Sequence, residues 1–123
     1  MGKNWIPMSK NPFREAVLEK KEFTHTLELV PGRGARGKTQ DQILGLAEKT
    51  IQAKLIHAVS ITDNPGGHPA LSPDVIGLEI CRMGINPIIH FTCKDKNRNQ
   101  MESILYALDR IGIHNLLVMT GDF

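Results

Sequence analysis

At 123 residues the chain is at most one domain, long enough for a core of its own. Its composition is ordinary for a globular protein, 41% hydrophobic and 23% charged. The net charge is +2 with no basic run beyond Lys20-Lys21, which argues against nucleic-acid binding, since that needs clustered Lys and Arg.

The first residues carry no apolar signal-peptide core, and no window approaches the ~18 apolar residues of a membrane span. A cytoplasmic chain with no membrane partner is expected. Cys81 and Cys93 fit no metal-ligand spacing, so free thiols in a reducing compartment and no metal site are expected.

Residues 1–22 read as an N-terminal arm, broken by Pro7 and Pro12, in which Asn11-Pro12 caps a short helix through about Lys21. Residues 23–123 read as one α/β unit. Thr24 to Val30 alternates, with Leu27 and Leu29 on one side and Thr26, Glu28 and Val30 on the other, which predicts a strand. Pro31 to Gly37 breaks it. Thr39-x-x-Gln42 then predicts a capping box, opening a helix with Ile43, Leu44, Ala47 and Ile51 at helical spacing to about Lys54.

Leu55 to Thr62 is a second strand, followed by the loop Asp63 to Leu71. Ser72-Pro73 supplies an N-cap and a proline at the first helical position, with Val75, Ile76, Ile80 and Met83 as the inner face and Gly84 as the stop. Asn86 to Phe91 is the third strand. Asp95 or Asn97 opens the next helix, whose Met101, Ile104, Leu105, Leu108 and Ile111 form a stripe ending at Gly112. His114 to Met119 is the fourth strand.

The order β-α-β-α-β-α-β, in units of about thirty residues, is that of parallel βαβ crossovers. Four strands and three crossover helices, plus the N-terminal helix, amount to the first half of a (β/α)8 TIM barrel or a small open sheet. One polar residue falls near the C-terminal end of each strand: Glu28, Thr62, His90 and Asp122, separated by 34, 28 and 32 residues. Ligands bind at that end of parallel sheets, because loops there vary without disturbing the core. Glu28 stands out as a lone carboxylate on an inward strand face, where burial favours a protonated group suited to general acid work.

A rival motif lies beside it. Gly32 to Thr39 matches G-x-x-x-x-G-K-[ST], the pattern of a nucleotide-binding P-loop. Its context is wrong: Thr26 and Glu28 interrupt the preceding strand, and no apolar run ends in a magnesium-ligating Asp. A third alternative is a non-catalytic flavin-binding or assembly module with open sheet edges.

The stretches AVSITDNPGG (Ala58 to Gly67), PIIHFTCKDKNR (Pro87 to Arg98) and GIHNLLVMTGD (Gly112 to Asp122), with LELVP (Leu27 to Pro31), resemble the methylenetetrahydrofolate reductase family. The resemblance implies a flavin-containing (β/α)8 barrel of one-carbon metabolism. Such a barrel reduces 5,10-methylenetetrahydrofolate to 5-methyltetrahydrofolate by ping-pong hydride transfer. FAD (with FMN as the alternative) is the implied cofactor, and NADH, NADPH or an electron-donor subunit the implied donor. It further implies Glu28 as the general acid, and Thr62, His90, Met119, Thr120 and Gly121 as flavin contacts. Asp122 would lie between flavin and folate. Gly32 stands where the family carries a second proline. The chain stops before the family's fifth to eighth strands, so a fragment is expected, completed by a second copy or a partner.

Overall fold

The computed structural model describes residues 9–122. The part of the expected arm before Ser9 lies outside the described residues. Asn11 caps the first helix as expected, its side chain accepting from the Arg14 N–H. The α-helical turn Pro12–Arg14 (α1) runs on as a π-helical stretch, Glu15–Lys20. Behind it come β1 (Thr26–Leu29), α2 (Lys38–Gln52), β2 (Ala58–Ile61), α3 (Pro73–Arg82), β3 (Ile88–Thr92), α4 (Arg98–Arg110) and β4 (Asn115–Met119).

All three strand pairings are parallel and the spatial order is β1-β2-β3-β4. Each crossover therefore steps one strand in the same direction. A doubly wound sheet reverses direction at a switch point; a barrel does not. The fold is α/β, four consecutive strands of a TIM barrel.

Strand alternation divides the sheet into two unlike faces. Leu29, Val59, Ile61 and Ile89 project on one face into a core with Ala47 of α2, Ile76, Ile80 and Cys81 of α3, and Leu108 of α4. Burying an aliphatic side chain of this size contributes roughly 1.5–3 kcal/mol, so this face holds the helices on. Helix α3 approaches closely because Gly77 has no side chain: a Cβ there would lie 2.8 Å from Ile89 Cδ1 and 2.9 Å from Ile113 Cδ1. The opposite, inner face carries the polar alternates.

Several local expectations are corrected. Gly37, not Thr39, is the N-cap of α2, and no side chain caps it, so the Thr39–Gln42 box does not form. Gln40 turns back instead and bonds the preceding loop. Ser72 precedes α3 as expected, but its hydroxyl donates to the Asp74 carboxylate rather than capping the backbone. Val75 is exposed, and Gly77 and Cys81 take its expected place on the buried face of α3. Asn97 is the cap of α4, accepting from the Gln100 N–H at 2.8 Å.

The N-terminal end of the sheet is closed by a polar network. Asn86, 2% exposed, donates to Gly112 O (2.6 Å) and Ser9 Oγ (3.1 Å) and accepts from the His114 N–H (2.9 Å). Asn115 and Asn11 exchange side-chain bonds at 3.0 Å. The segment before α1 is thereby fastened beneath β3 and β4.

Candidate functional site

The register places the inner-face residues. Glu28 is level with Ser60, and Ser60 with Ile88; His90 is level with Leu117, and Thr92 with Met119. Two residues along, Thr62 and His90 follow Ser60 and Ile88 on the same face. Glu28, Thr62 and His90 therefore meet at the C-terminal end of the sheet. Glu28 Oε1 lies 3.8 Å from His90 Nε2, reaching across β2.

Their surroundings differ. The His90 side chain is 9% exposed, whereas that of Glu28 is 58% exposed. The burial expected of Glu28 is not found, because β1 is an edge strand with one neighbour in the sheet. Thr62 lies between them in the sheet order. Its N–H donates to Leu29 O at 3.1 Å, but its buried Oγ1 has no hydrogen-bond partner among the described residues. A buried hydroxyl without a partner is costly and calls for one.

The fourth strand end is built separately. Cys93 N–H donates to Met119 O at 3.0 Å, tying the ends of β3 and β4. Thr120 is exposed. Gly121 adopts φ +103° and passes so close to Lys94 that a Cβ would lie 2.7 Å from Lys94 Cβ. Only glycine accepts both conditions comfortably. Asp122 does not engage Glu28 or His90. Its Oδ2 accepts from the Gly66 N–H at 2.7 Å, so the loop after β2 is pinned to the end of β4. That loop is an arch in its own right, with Asn64 Oδ1 accepting from the Ala70 N–H and Leu71 N–H donating to Gly32 O.

Two residues that the pattern of the sequence did not single out join this end. Asp63 and Lys96 form an ion pair of 2.6 Å whose side chains are only 9% and 12% exposed. The available signal was positional: Asp63 stands just past a strand end, as Asp122 does. Nothing local, however, pairs it with a lysine 33 residues on.

The P-loop pattern does not fold as a phosphate cradle. Such a cradle turns N–H groups inward. Here the Gln40 amide nitrogen donates to the carbonyls of Gly32 (3.2 Å) and Gly34 (2.8 Å), and its oxygen accepts from the Gly32 N–H (2.8 Å). The loop is filled by its own glutamine. Among the described residues no cluster of His, Cys, Asp and Glu could hold a metal ion, and no helix is long and apolar enough to cross a membrane. Cys81 is buried and Cys93 exposed, both as free thiols.

The chain that builds this parallel sheet, with a carboxylate, a histidine and an unsatisfied hydroxyl gathered at its C-terminal end, is matched by a family model. The model described as methylenetetrahydrofolate reductase covers residues 14–123. The chain belongs to the methylenetetrahydrofolate reductase family. Among curated proteins none matches it. Membership accounts for the barrel winding and supports an oxidoreductase function of the methylenetetrahydrofolate reductase type.

Proposed function

We propose that the inner face takes part in flavin-dependent reduction of 5,10-methylenetetrahydrofolate to 5-methyltetrahydrofolate. Reducing equivalents come from NADH, NADPH or an electron-donor subunit in a ping-pong sequence, in the cytoplasm. Four further strands, from further chain, a second copy or a partner, complete the barrel and the site. The observation that carries the reading is the buried, unpartnered Thr62 hydroxyl beside the Glu28–His90 pair, in a chain of this family.

The residues present fit a flavin. Thr62 offers a hydroxyl in want of a partner, His90 a shielded imidazole, and Met119 to Gly121 a backbone that glycine lets run close to its neighbours. These groups would hold FAD, or FMN as the alternative. The flavin, when bound, relays a hydride from the donor to the folate.

Glu28 holds a proton for the bridging nitrogen of the folate, whose ring opens once that nitrogen is protonated. His90 stands 3.8 Å from the carboxylate, near enough to orient it once water is excluded. Asp122 serves both ligands. Its present bond to the Gly66 N–H is given up when it does so, which frees the tip of the arch.

The test is a titration of the purified chain with FAD and FMN, followed by visible absorbance, alongside a scan of the protein as isolated. Saturable binding of either flavin is expected, and binding of neither would overturn the cofactor assignment. In the barrel closed by its remaining strands, Glu28→Gln is expected to keep flavin reduction by the donor and to lose folate turnover. Equal loss of both half-reactions would remove Glu28 from its role.

A further inference from the structure

The three joints of the sheet are unequal. The β1–β2 ladder holds four register pairs and the β3–β4 ladder five, but the β2–β3 ladder holds two, Ser60 with Ile88 and Ile61 with Ile89. It ends just before Thr62 and His90, the two inner-face residues whose spacing matters most to the proposed site. Beyond that point the strands are joined through side chains. Asp63 Oδ2 accepts from the Thr92 N–H (3.0 Å), the Thr92 hydroxyl (3.1 Å) and Lys96 Nζ (2.6 Å). Lys96 Nζ also donates to Thr92 O (2.7 Å) and sits 5.3 Å from the centre of the Phe91 ring.

We infer that Asp63 and Lys96 are positioning residues: their ion pair replaces the missing rungs between β2 and β3 and so fixes the spacing of Thr62 and His90. Lys96 is not a ligand-binding cation held in reserve. Its side chain is 12% exposed and its donors are spent on Asp63, Thr92 O and Thr92 Oγ1 (3.3 Å). Nor is stability a sufficient reason for the pair. A buried ion pair is commonly no more stabilising than apolar residues of like size, whereas one partner left alone is a stranded charge. What the charges add is directionality: one carboxylate oxygen gathers an N–H, an O–H and an ammonium at one point.

The pair also transmits position. Thr92 leads into Cys93, whose N–H holds Met119 O, and Asp63 is the foot of the arch whose tip meets Asp122. Loss of the pair therefore loosens both approaches to the site at once. In its consequence for the cofactor the inference rests on the flavin reading; in its geometry it does not.

The experiment uses the whole chain and the double variant Asp63→Leu/Lys96→Met, which strands no charge. Three readouts are taken: the melting temperature, amide hydrogen exchange at Thr92, Cys93 and Ile89, and affinity for added FAD. The melting temperature is expected to fall, because the Thr92 N–H and hydroxyl lose their acceptor, but the chain is expected to stay folded because no charge is stranded. Exchange at Thr92 and Cys93 should speed up at least tenfold while Ile89 is unchanged, and FAD should bind at least tenfold more weakly. Asp63→Asn/Lys96→Met, which keeps an acceptor for the Thr92 N–H but has no ion pair, should recover only part of either loss; full recovery would show that the Asp63 acceptor alone suffices and would overturn the role given to the pair. Unchanged exchange and unchanged FAD affinity in the Leu/Met variant would overturn the inference and leave the pair as packing. If the wild type itself binds no flavin, the flavin reading falls and the exchange pattern alone decides for or against the positioning role. Should the Leu/Met variant fail to fold, Asp63→Ser/Lys96→Met, too short to reach Thr92, is measured in its place.

Discussion

Thr62→Val is expected to stabilise the ligand-free chain while weakening its hold on flavin. The substitution replaces a buried hydroxyl with a methyl of nearly the same shape and leaves the Thr62 N–H bond to Leu29 O intact. Among the described residues Thr62 Oγ1 makes no hydrogen bond to set against its desolvation. A polar group in that position costs about 1–3 kcal/mol by mutational measures, so recovery of about 1 kcal/mol is expected. For a domain of this size that raises the melting temperature by roughly 3–5 °C. The same hydroxyl is proposed to meet the cofactor. Losing one hydrogen bond of about 1 kcal/mol weakens FAD binding by about fivefold. Urea denaturation followed by circular dichroism gives the first quantity, and fluorescence quenching of titrated FAD the second. A variant less stable than the wild type by about 1 kcal/mol or more would show that the hydroxyl has a partner in the free chain, refuting the argument at its root. A stabilised variant with undiminished FAD affinity would refute only the ligand assignment.

Asn86→Ala should destabilise the chain by about 2–4 kcal/mol in the same urea assay, because it strands the Gly112 carbonyl and the His114 N–H at a site 2% exposed. Ser9→Ala, which removes one 3.1 Å bond from the same network, should cost no more than about 1 kcal/mol. Gly121→Ala should cost about 1–3 kcal/mol through its positive φ and its contact with Lys94. Gly45→Ala, in open space within α2, should instead stabilise the chain by about 0.5–1 kcal/mol. Burial pushes the Cys81 thiol above its ordinary range, a bond with Ser9 opposing this in part, so a thiol reagent should modify exposed Cys93 well before Cys81. Because the folded thiol is the weaker acid, the stability Cys81 contributes is full below about pH 8.5, the unfolded value. It falls as pH rises towards the folded one; stability rising with pH over that window would contradict it.

The architecture was legible because it rests on alternation. Leu27 and Leu29 set against Thr26 and Glu28 announce both a strand and its two faces, and the helices between strands carry their own periodicity. The three strand-end residues that meet, Glu28, Thr62 and His90, were legible for the same reason: a regular βα repeat returns equivalent positions to one edge of the sheet. What escaped was chemistry between segments. The P-loop pattern is satisfied letter by letter, yet Gln40, outside the pattern, decides what the loop does by filling it. Thr39 and Ser72 are good capping residues by type, but Gly37 takes the first cap and Asp74 takes the second hydroxyl. Asp63 with Lys96, and Asn86 with Ser9, Gly112 and His114, pair residues 26 to 77 positions apart, and no local periodicity encodes such partners.

The exposure of Glu28 carries the last step. A carboxylate 3.8 Å from an imidazole interacts with it weakly while water reaches one of the two groups, and here 58% of the glutamate side chain is exposed. Were both groups charged, the attraction at about 4 Å would be about 1 kcal/mol in water but about 4 kcal/mol where the effective dielectric constant is near 20. The side of β1 away from β2 is open among the described residues, so Glu28 owes its exposure to its place at the sheet edge and not to its own orientation, which is already towards His90. A strand laid along that edge would exclude water from the carboxylate without moving it. On the proposed reading, barrel closure and the coupling of Glu28 to His90 are then one event: this chain fixes the direction of Glu28, and a strand covering β1 would set how strongly it feels His90.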